Sequence, residues 1–152
     1  IQNTFSIVTG RLKEKIESSN FLPFMPAPKL VTEIRASFNK IENNLRNFYI
    51  KMEIDNTLAQ NNVFTAYNTE TKTPGYVLLH AGIGTDIMGK KKKLLSFYFN
   101  ITNLGDVGYQ SHLSRLKYAP DNLATGRTGI FNIGRSFNFK VMIPFDFSAK
   151  TP

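Results

Sequence analysis

Phe131-Asn132-Ile133-Gly134-Arg135-Ser136-Phe137-Asn138-Phe139-Lys140-Val141-Met142-Ile143-Pro144-Phe145-Asp146-Phe147 is the stretch that decides the fold. Phe131, Ile133, Phe137, Phe139, Val141, Ile143, Phe145 and Phe147 share one parity, broken only by Arg135. Asn132, Gly134, Ser136, Asn138 and Lys140 stand opposite them. Side chains of a strand alternate between two faces, so this stretch carries one apolar and one polar face. On a helix the same residues would surround the axis and leave no polar side. Phe, Ile and Val also favour strands.

The same period recurs upstream. Phe48, Ile50, Met52 and Ile54 oppose Tyr49, Lys51, Glu53 and Asp55, and Leu30, Ile34, Ala36 and Phe38 oppose Glu33, Arg35, Ser37 and Asn39. Val77, Leu79, Ala81, Ile83 and Ile87 oppose His80, Gly82, Gly84 and Asp86. Leu95, Phe97, Phe99 and Ile101 oppose Ser96, Tyr98, Asn100 and Thr102. Near the start, Phe5 and Ile7 share one parity while Leu12 and Ile16 share the other; a bulge at Thr9-Gly10 or a plain register ambiguity accounts for the switch. The pattern predicts six antiparallel up-and-down strands at 2–17, 29–39, 46–59, 76–88, 93–104 and 129–147, with no long helix.

The connections then run long, short, long, short, long: Ser18–Pro28, Lys40–Asn44, Gln60–Gly75, Gly89–Lys93 and Gly105–Thr128. In an up-and-down sheet alternate connections share an end, so all long loops lie at one end and all short turns at the other. Outer-membrane barrels have this layout. Most of the strands approach the roughly nine to eleven residues a tilted membrane strand needs, beyond the usual five or six. Aromatic residues gather at both ends: Phe21, Phe24, Phe64, Tyr67 and Tyr76 toward the long loops, Phe38, Phe48, Phe145 and Phe147 toward the short turns. That is the placement of two interfacial girdles. Ile50, Ile54, Phe97, Phe99, Phe137, Phe139 and Val141 are therefore expected on a convex lipid face, and Lys51, Glu53, Tyr98, Asn138 and Lys140 on a concave lumen face. Six strands are fewer than the roughly eight of the smallest known single-chain barrels. Ile1 opens the chain without a Met or a leader-like run. The expectation is that residues 1–147 are the C-terminal segment of a larger transmembrane β-barrel, followed by a short tail, 148–152.

Composition narrows the remaining classes. With 41% hydrophobic and 12% aromatic residues the chain is rich enough to fold. No run approaches the ~18 apolar residues of a transmembrane helix. Cysteine is absent, which excludes disulfide frameworks and thiol chemistry. The net charge of +8 raises nucleic acid as a partner. Yet Lys90–Lys93 sit at one turn, the other cations are dispersed, and no nucleic-acid motif is present, so none is expected to bind.

One segment brings a family into view. Asn100-Ile101-Thr102-Asn103-Leu104-Gly105-Asp106-Val107-Gly108-Tyr109 resembles the stretch that closes the penultimate strand of TonB-dependent outer-membrane receptors. Thr73-Pro74-Gly75-Tyr76-Val77-Leu78-Leu79 resembles the start of the preceding strand pair. Gln110–Tyr118, Gly126-Arg127 and Gly134-Arg135-Ser136-Phe137 look like the Bacteroidetes version. The resemblance covers nearly the whole chain. It implies a barrel of roughly 22 strands with a plugged lumen, in the bacterial cell outer membrane. It also implies active uptake of a scarce nutrient such as a siderophore, cobalamin or a glycan. Implied partners are outer-membrane lipid and lipopolysaccharide, the remaining barrel strands and plug domain, and the TonB complex through an N-terminal part this chain does not contain. Phe147 matches the terminal aromatic assembly signal of the family, although five residues follow it. The alternative is a soluble β-barrel or sandwich that binds a small ligand.

Catalytic chemistry is not expected. His80 falls on a polar strand face and His112 in a loop, with no convergent partners readable from the sequence. No phosphate loop, nucleophile elbow, metal cluster or cofactor site is legible. Glu14, Glu33, Glu53 and Asp55, close to Lys13, Arg35 and Lys51, suit cross-strand ion pairs. Candidate ligand-binding residues lie on the long loops: Tyr67, Tyr109, Arg115, Tyr118 and Arg127. Loops carry recognition on rigid scaffolds, and Tyr and Arg dominate recognition hot spots.

Overall fold

A computed structural model of the chain describes residues 1–90 and 92–145. The protein is all-β, built on one six-stranded antiparallel sheet. The main-sheet strands are β1 (Gln2–Ser6), β4 (Lys29–Lys40), β5 (Leu45–Thr57), β6 (Tyr76–Met88), β7 (Lys93–Thr102) and β8 (Ser136–Met142), adjacent in that order. A small hairpin of β2 (Arg11–Ile16) and β3 (Ser19–Phe21) stands apart from the sheet. Among the described residues the only helical turns are the 3-10 segments Ala66–Asn68 and Arg115–Tyr118.

Register sorts the side chains as alternation predicts. Ala36, Ile50, Ile83, Phe99 and Phe139 form one continuous row across five strands, and Ile34, Met52, Ala81, Ile101 and Phe137 form the next. Between them, on the other face, runs the row Arg35, Lys51, Gly82, Asn100, Asn138. The faces differ in exposure, and in the opposite sense to a water-soluble sheet. On β5 the apolar Ile50, Met52 and Ile54 are exposed, while Lys51 and Glu53 are half-buried and Asp55 and Thr57 buried. Phe137 and Phe139 stand 64% and 66% open. The Phe residues do not converge on an interior. Buried apolar side chains among the described residues are Met25, Val63, Phe64, Ala66 and Leu78, mostly from the loops.

The polar face is crowded and cross-linked. Lys51 Nζ lies 3.1 Å from Glu33 and 3.7 Å from Glu53, and Lys29 pairs with Asp55 at 2.7 Å. The Arg35 guanidinium rests over the Tyr49 ring at 3.9 Å. Gly82 and Gly84 make room in this layer: a Cβ on Gly82 would meet Asn100 and Lys51, and one on Gly84 would meet Tyr49 and Tyr98.

Two strands differ from expectation. The predicted 2–17 strand stops at Ser6, and Arg11–Ile16 turns back on β3 through a two-residue turn with Glu17 in the left-handed region (φ 52°). The parity switch near Gly10 thus marks the end of the strand, not a bulge within it. Among the described residues the predicted 129–147 strand is ordered as strand only over Ser136–Met142. Its partner β7 ends at Thr102, opposite Ser136, and Asn103 turns away at φ 50°. Phe131 and Ile133 keep the alternation but have no ladder to join. Phe147 and the 148–152 tail lie outside the described residues. Long and short connections alternate as predicted, with the long ones, 7–28, 58–75 and 103–135, all at one end; the first and last are longer than the expected 18–28 and 105–128 because β1 and β8 are short.

Candidate functional site

The long-loop end carries the densest polar chemistry of the molecule. Its foundation is the segment that follows β7. Asn103 is buried and its side chain closes a ring on the next turn: Nδ2 donates to Val107 O and Oδ1 accepts from Val107 N, both at 2.9 Å. A short amide side chain tolerates the left-handed backbone here and satisfies it locally. Leu104 N donates to Leu79 O at 2.7 Å, carrying the contact with β6 two residues past the end of β7. Asp106 Oδ1 accepts from Arg135 N at 2.8 Å, which ties the two ends of the last loop together. The Tyr109 ring packs against Tyr76 with centroids 4.5 Å apart. Asn103, Leu104, Asp106 and Tyr109 therefore each have a structural task in this chain.

Above this base three loops are sewn together by buried polar side chains. Glu70 accepts from Phe24 N at 2.8 Å through Oε1 and from Phe64 N at 2.9 Å through Oε2. Gln60 Nε2 donates to the carbonyls of Met25 and Pro26, and Ser19 Oγ bonds Val63 O and Thr65 N. Lys117, 8% exposed, donates to Thr71 O at 3.2 Å and to Thr73 Oγ1 at 2.8 Å. His112 completes the cluster, with Nδ1 2.8 Å from Thr73 Oγ1 and Nε2 3.6 Å from Glu70 Oε1. A buried polar group left without such a partner costs roughly 1–3 kcal/mol.

The sequence-predicted binding residues do not form one site. Arg115 and Tyr118 are neighbours: the guanidinium lies over the Phe24 and Tyr118 rings at 5.4 and 5.5 Å. Tyr118 Oη accepts from Thr71 N at 3.0 Å. Burial alone would raise the Tyr118 pKa, but the Thr71 bonds and the Lys117 ammonium outweigh it and hold the pKa below the usual phenol value. Tyr109 is half-buried against Tyr76, and desolvation first, then Tyr76, raises its pKa. Arg127 stands apart, over the Phe131 ring at 5.1 Å, beside an open recess of about 440 Å³. Tyr67 is exposed on its own turn, its N–H donated to Glu17. Phe64, expected at an interface girdle, is instead buried within the loop layer.

Sequence reasoning missed the Glu70–His112–Lys117–Thr73 cluster. Thr73 stands 39 residues from His112 and 44 from Lys117, so no local pattern joins the two halves of the cluster. His80, by contrast, sits where the alternation put it, and its Nδ1 accepts from Asn103 N at 3.2 Å. Lys51 on β5 pairs across to Glu33 on β4, as their placement implies, and also with Glu53 along its own strand. No group of three metal-ligating side chains converges among the described residues.

No protein-family model, curated protein or solved structure matches the chain.

Proposed function

We propose that this chain is wall and loop structure of a transmembrane β-barrel in the bacterial outer membrane, its apolar face toward lipid and its polar face toward the lumen. The observation that carries the reading is the inverted exposure of the sheet. A water-soluble sandwich or small-ligand barrel would bury Ile50, Met52, Phe137 and Phe139 against a second layer. Here those residues are open, and the ion-paired face is the sheltered one. Lipid is the solvent that rewards such an arrangement. The strands β4, β5, β6 and β7 run 12, 13, 13 and 10 residues, sufficient to cross a bilayer at a tilt.

Within that class, the resemblance around Asn103–Tyr109 supports a TonB-dependent receptor that takes up a scarce nutrient. In this role the chain supplies barrel wall and extracellular loops, while a plug and an energy-coupling segment come from elsewhere in the polypeptide. Β1 and β8 are the outer strands of the sheet, and in lipid their free edges need further strands, since unpaired backbone groups there cost several kcal/mol each. The test is fractionation of cells expressing the full natural polypeptide that carries this sequence, with growth on limiting iron, cobalamin or glycan compared with a deletion strain. Recovery in the outer membrane and a growth defect reversed by the intact gene are expected. Recovery in the soluble fraction would remove the membrane reading, and normal growth on every nutrient would remove the transport reading alone.

A further inference from the structure

His112 lies where the three loops meet, its side chain 2% exposed. Its protonation state follows from its neighbours. The Lys117 ammonium can only donate, and it gives one proton to Thr73 Oγ1 at 2.8 Å. The Thr73 hydroxyl has one proton to give and lies 2.8 Å from His112 Nδ1, and the Lys117 ammonium 3.5 Å from that nitrogen favours its lone pair over a proton there. This makes Nδ1 an acceptor and places the ring proton on Nε2. That nitrogen faces Glu70 Oε1 at 3.6 Å, beyond hydrogen-bond reach, and is buried without a partner among the described residues. Both Glu70 oxygens are already held by backbone amides. A second proton on the ring has to enter at Nδ1, against the Thr73 hydroxyl and with the Lys117 ammonium 3.5 Å away.

We propose that His112 is an acid-operated latch: as the neutral ring it closes the long-loop layer, and on protonation it releases the loops that Glu70, Thr73 and Lys117 hold together. This goes beyond the transport reading and does not depend on it. The groups that face the ring come from every loop around it. Glu70 and Thr73 belong to Leu58–Gly75, Lys117 belongs to the last loop, and Tyr118 reaches the cluster through Thr71. On the remaining side a cavity of about 180 Å³ separates His112 from Tyr76 and from Lys29, which is neutralised by Asp55. Of these charges Glu70 favours the imidazolium and Lys117 opposes it. Burial first and Lys117 second hold the His112 pKa below the ordinary imidazole value, and Glu70 does not compensate. The sign follows. With its folded pKa depressed, His112 stabilises the closed layer fully above the open-state value of about 6.5, and that stability is lost as pH falls below it.

Amide hydrogen exchange tests the latch in the full natural polypeptide folded in detergent micelles. Protection factors, corrected for the intrinsic pH dependence of exchange, are compared at about pH 7.5 and about pH 5, on either side of the ordinary imidazole value. Amides of 60–75 and 110–118 should lose protection on acidification, by up to about tenfold per pH unit, as one-proton linkage requires. Amides of β5 and β6 should not change. His112→Asn should remove the acid response. Lys117→Met, which leaves the ring buried but removes the opposing cation, should weaken it. Protection that stays flat in the parent, or an acid loss that persists undiminished in His112→Asn, would overturn the proposal. If His112→Asn does not fold, an undiminished acid loss in Lys117→Met would overturn it equally.

Discussion

Glu70 shows how one buried side chain can organise a loop layer. It is 4% exposed, yet both carboxylate oxygens accept backbone N–H bonds, from Phe24 in one loop and Phe64 in its own. The Phe24 amide it satisfies belongs to a residue in the left-handed region at φ 59°, where an aromatic residue is strained and needs external support. Glu70→Ala should therefore loosen the whole end of the molecule. The expected loss is roughly 1–3 kcal/mol for each amide left without a partner. Limited proteolysis within 58–75 is the measurement: cleavage should speed up several-fold in Glu70→Ala and less in Glu70→Gln, which retains one acceptor oxygen. Equal cleavage rates in parent and Glu70→Ala would show that the loops are held by something else. At this scale the sequence was partly legible. Asn103 and Asp106 stood out only as part of the stretch from Asn100 to Tyr109; Asn103 bonds Val107 four residues on, but the partner of Asp106 is Arg135, 29 residues away. Glu70 and Lys117 did not stand out, since their value lies entirely in which distant loop folds over them.

At the scale of the strand, alternation was a faithful guide wherever a partner strand existed. β4, β5, β6 and β7 run almost where the period placed them, because each has a neighbour on both sides to convert pattern into hydrogen bonds. The period failed at the margins. Phe131 and Ile133 read as strand, but β7 had already turned away at Asn103, and extended chain without a ladder partner is not strand. Asn47 carries a further irregularity that no apolar pattern could reveal: φ is 51° and the β5–β6 register shifts between Arg46 and Tyr49. The two faces of β8 make contrasting predictions. Phe139→Lys, on the open apolar face, should destabilise the barrel in a bilayer by about 2–4 kcal/mol if it lies near the midplane, whereas Asn138→Lys should change stability little. Urea titration of the full polypeptide in lipid vesicles would read both, and similar losses from the two variants would contradict the assignment of faces. On β6, Gly84→Val forces a branched side chain between Tyr49 and Tyr98 and should cost about 1–3 kcal/mol in the same assay.

For the molecule as a whole, the sheet has a large apolar face and two outer strands, β1 and β8, each paired on one edge. Such a face drives association in water, and such edges template further pairing. The 152-residue chain expressed alone should accordingly elute as aggregate without detergent, and a sharp monomeric peak with cooperative unfolding would count against the barrel reading. A more direct measurement uses the absence of cysteine from this chain. Single cysteines placed at 137, 138, 139, 140 and 141 of the full polypeptide, with any cysteine outside this chain replaced by serine, can each carry a fluorophore. Quenching by nitroxide lipids is then compared with quenching by a water-soluble agent in reconstituted vesicles. The prediction is a strict alternation, with 137, 139 and 141 quenched from lipid and 138 and 140 quenched from water. Uniform quenching from water along the strand, or alternation of the opposite phase, would contradict the claim that this sheet turns its apolar face to a membrane.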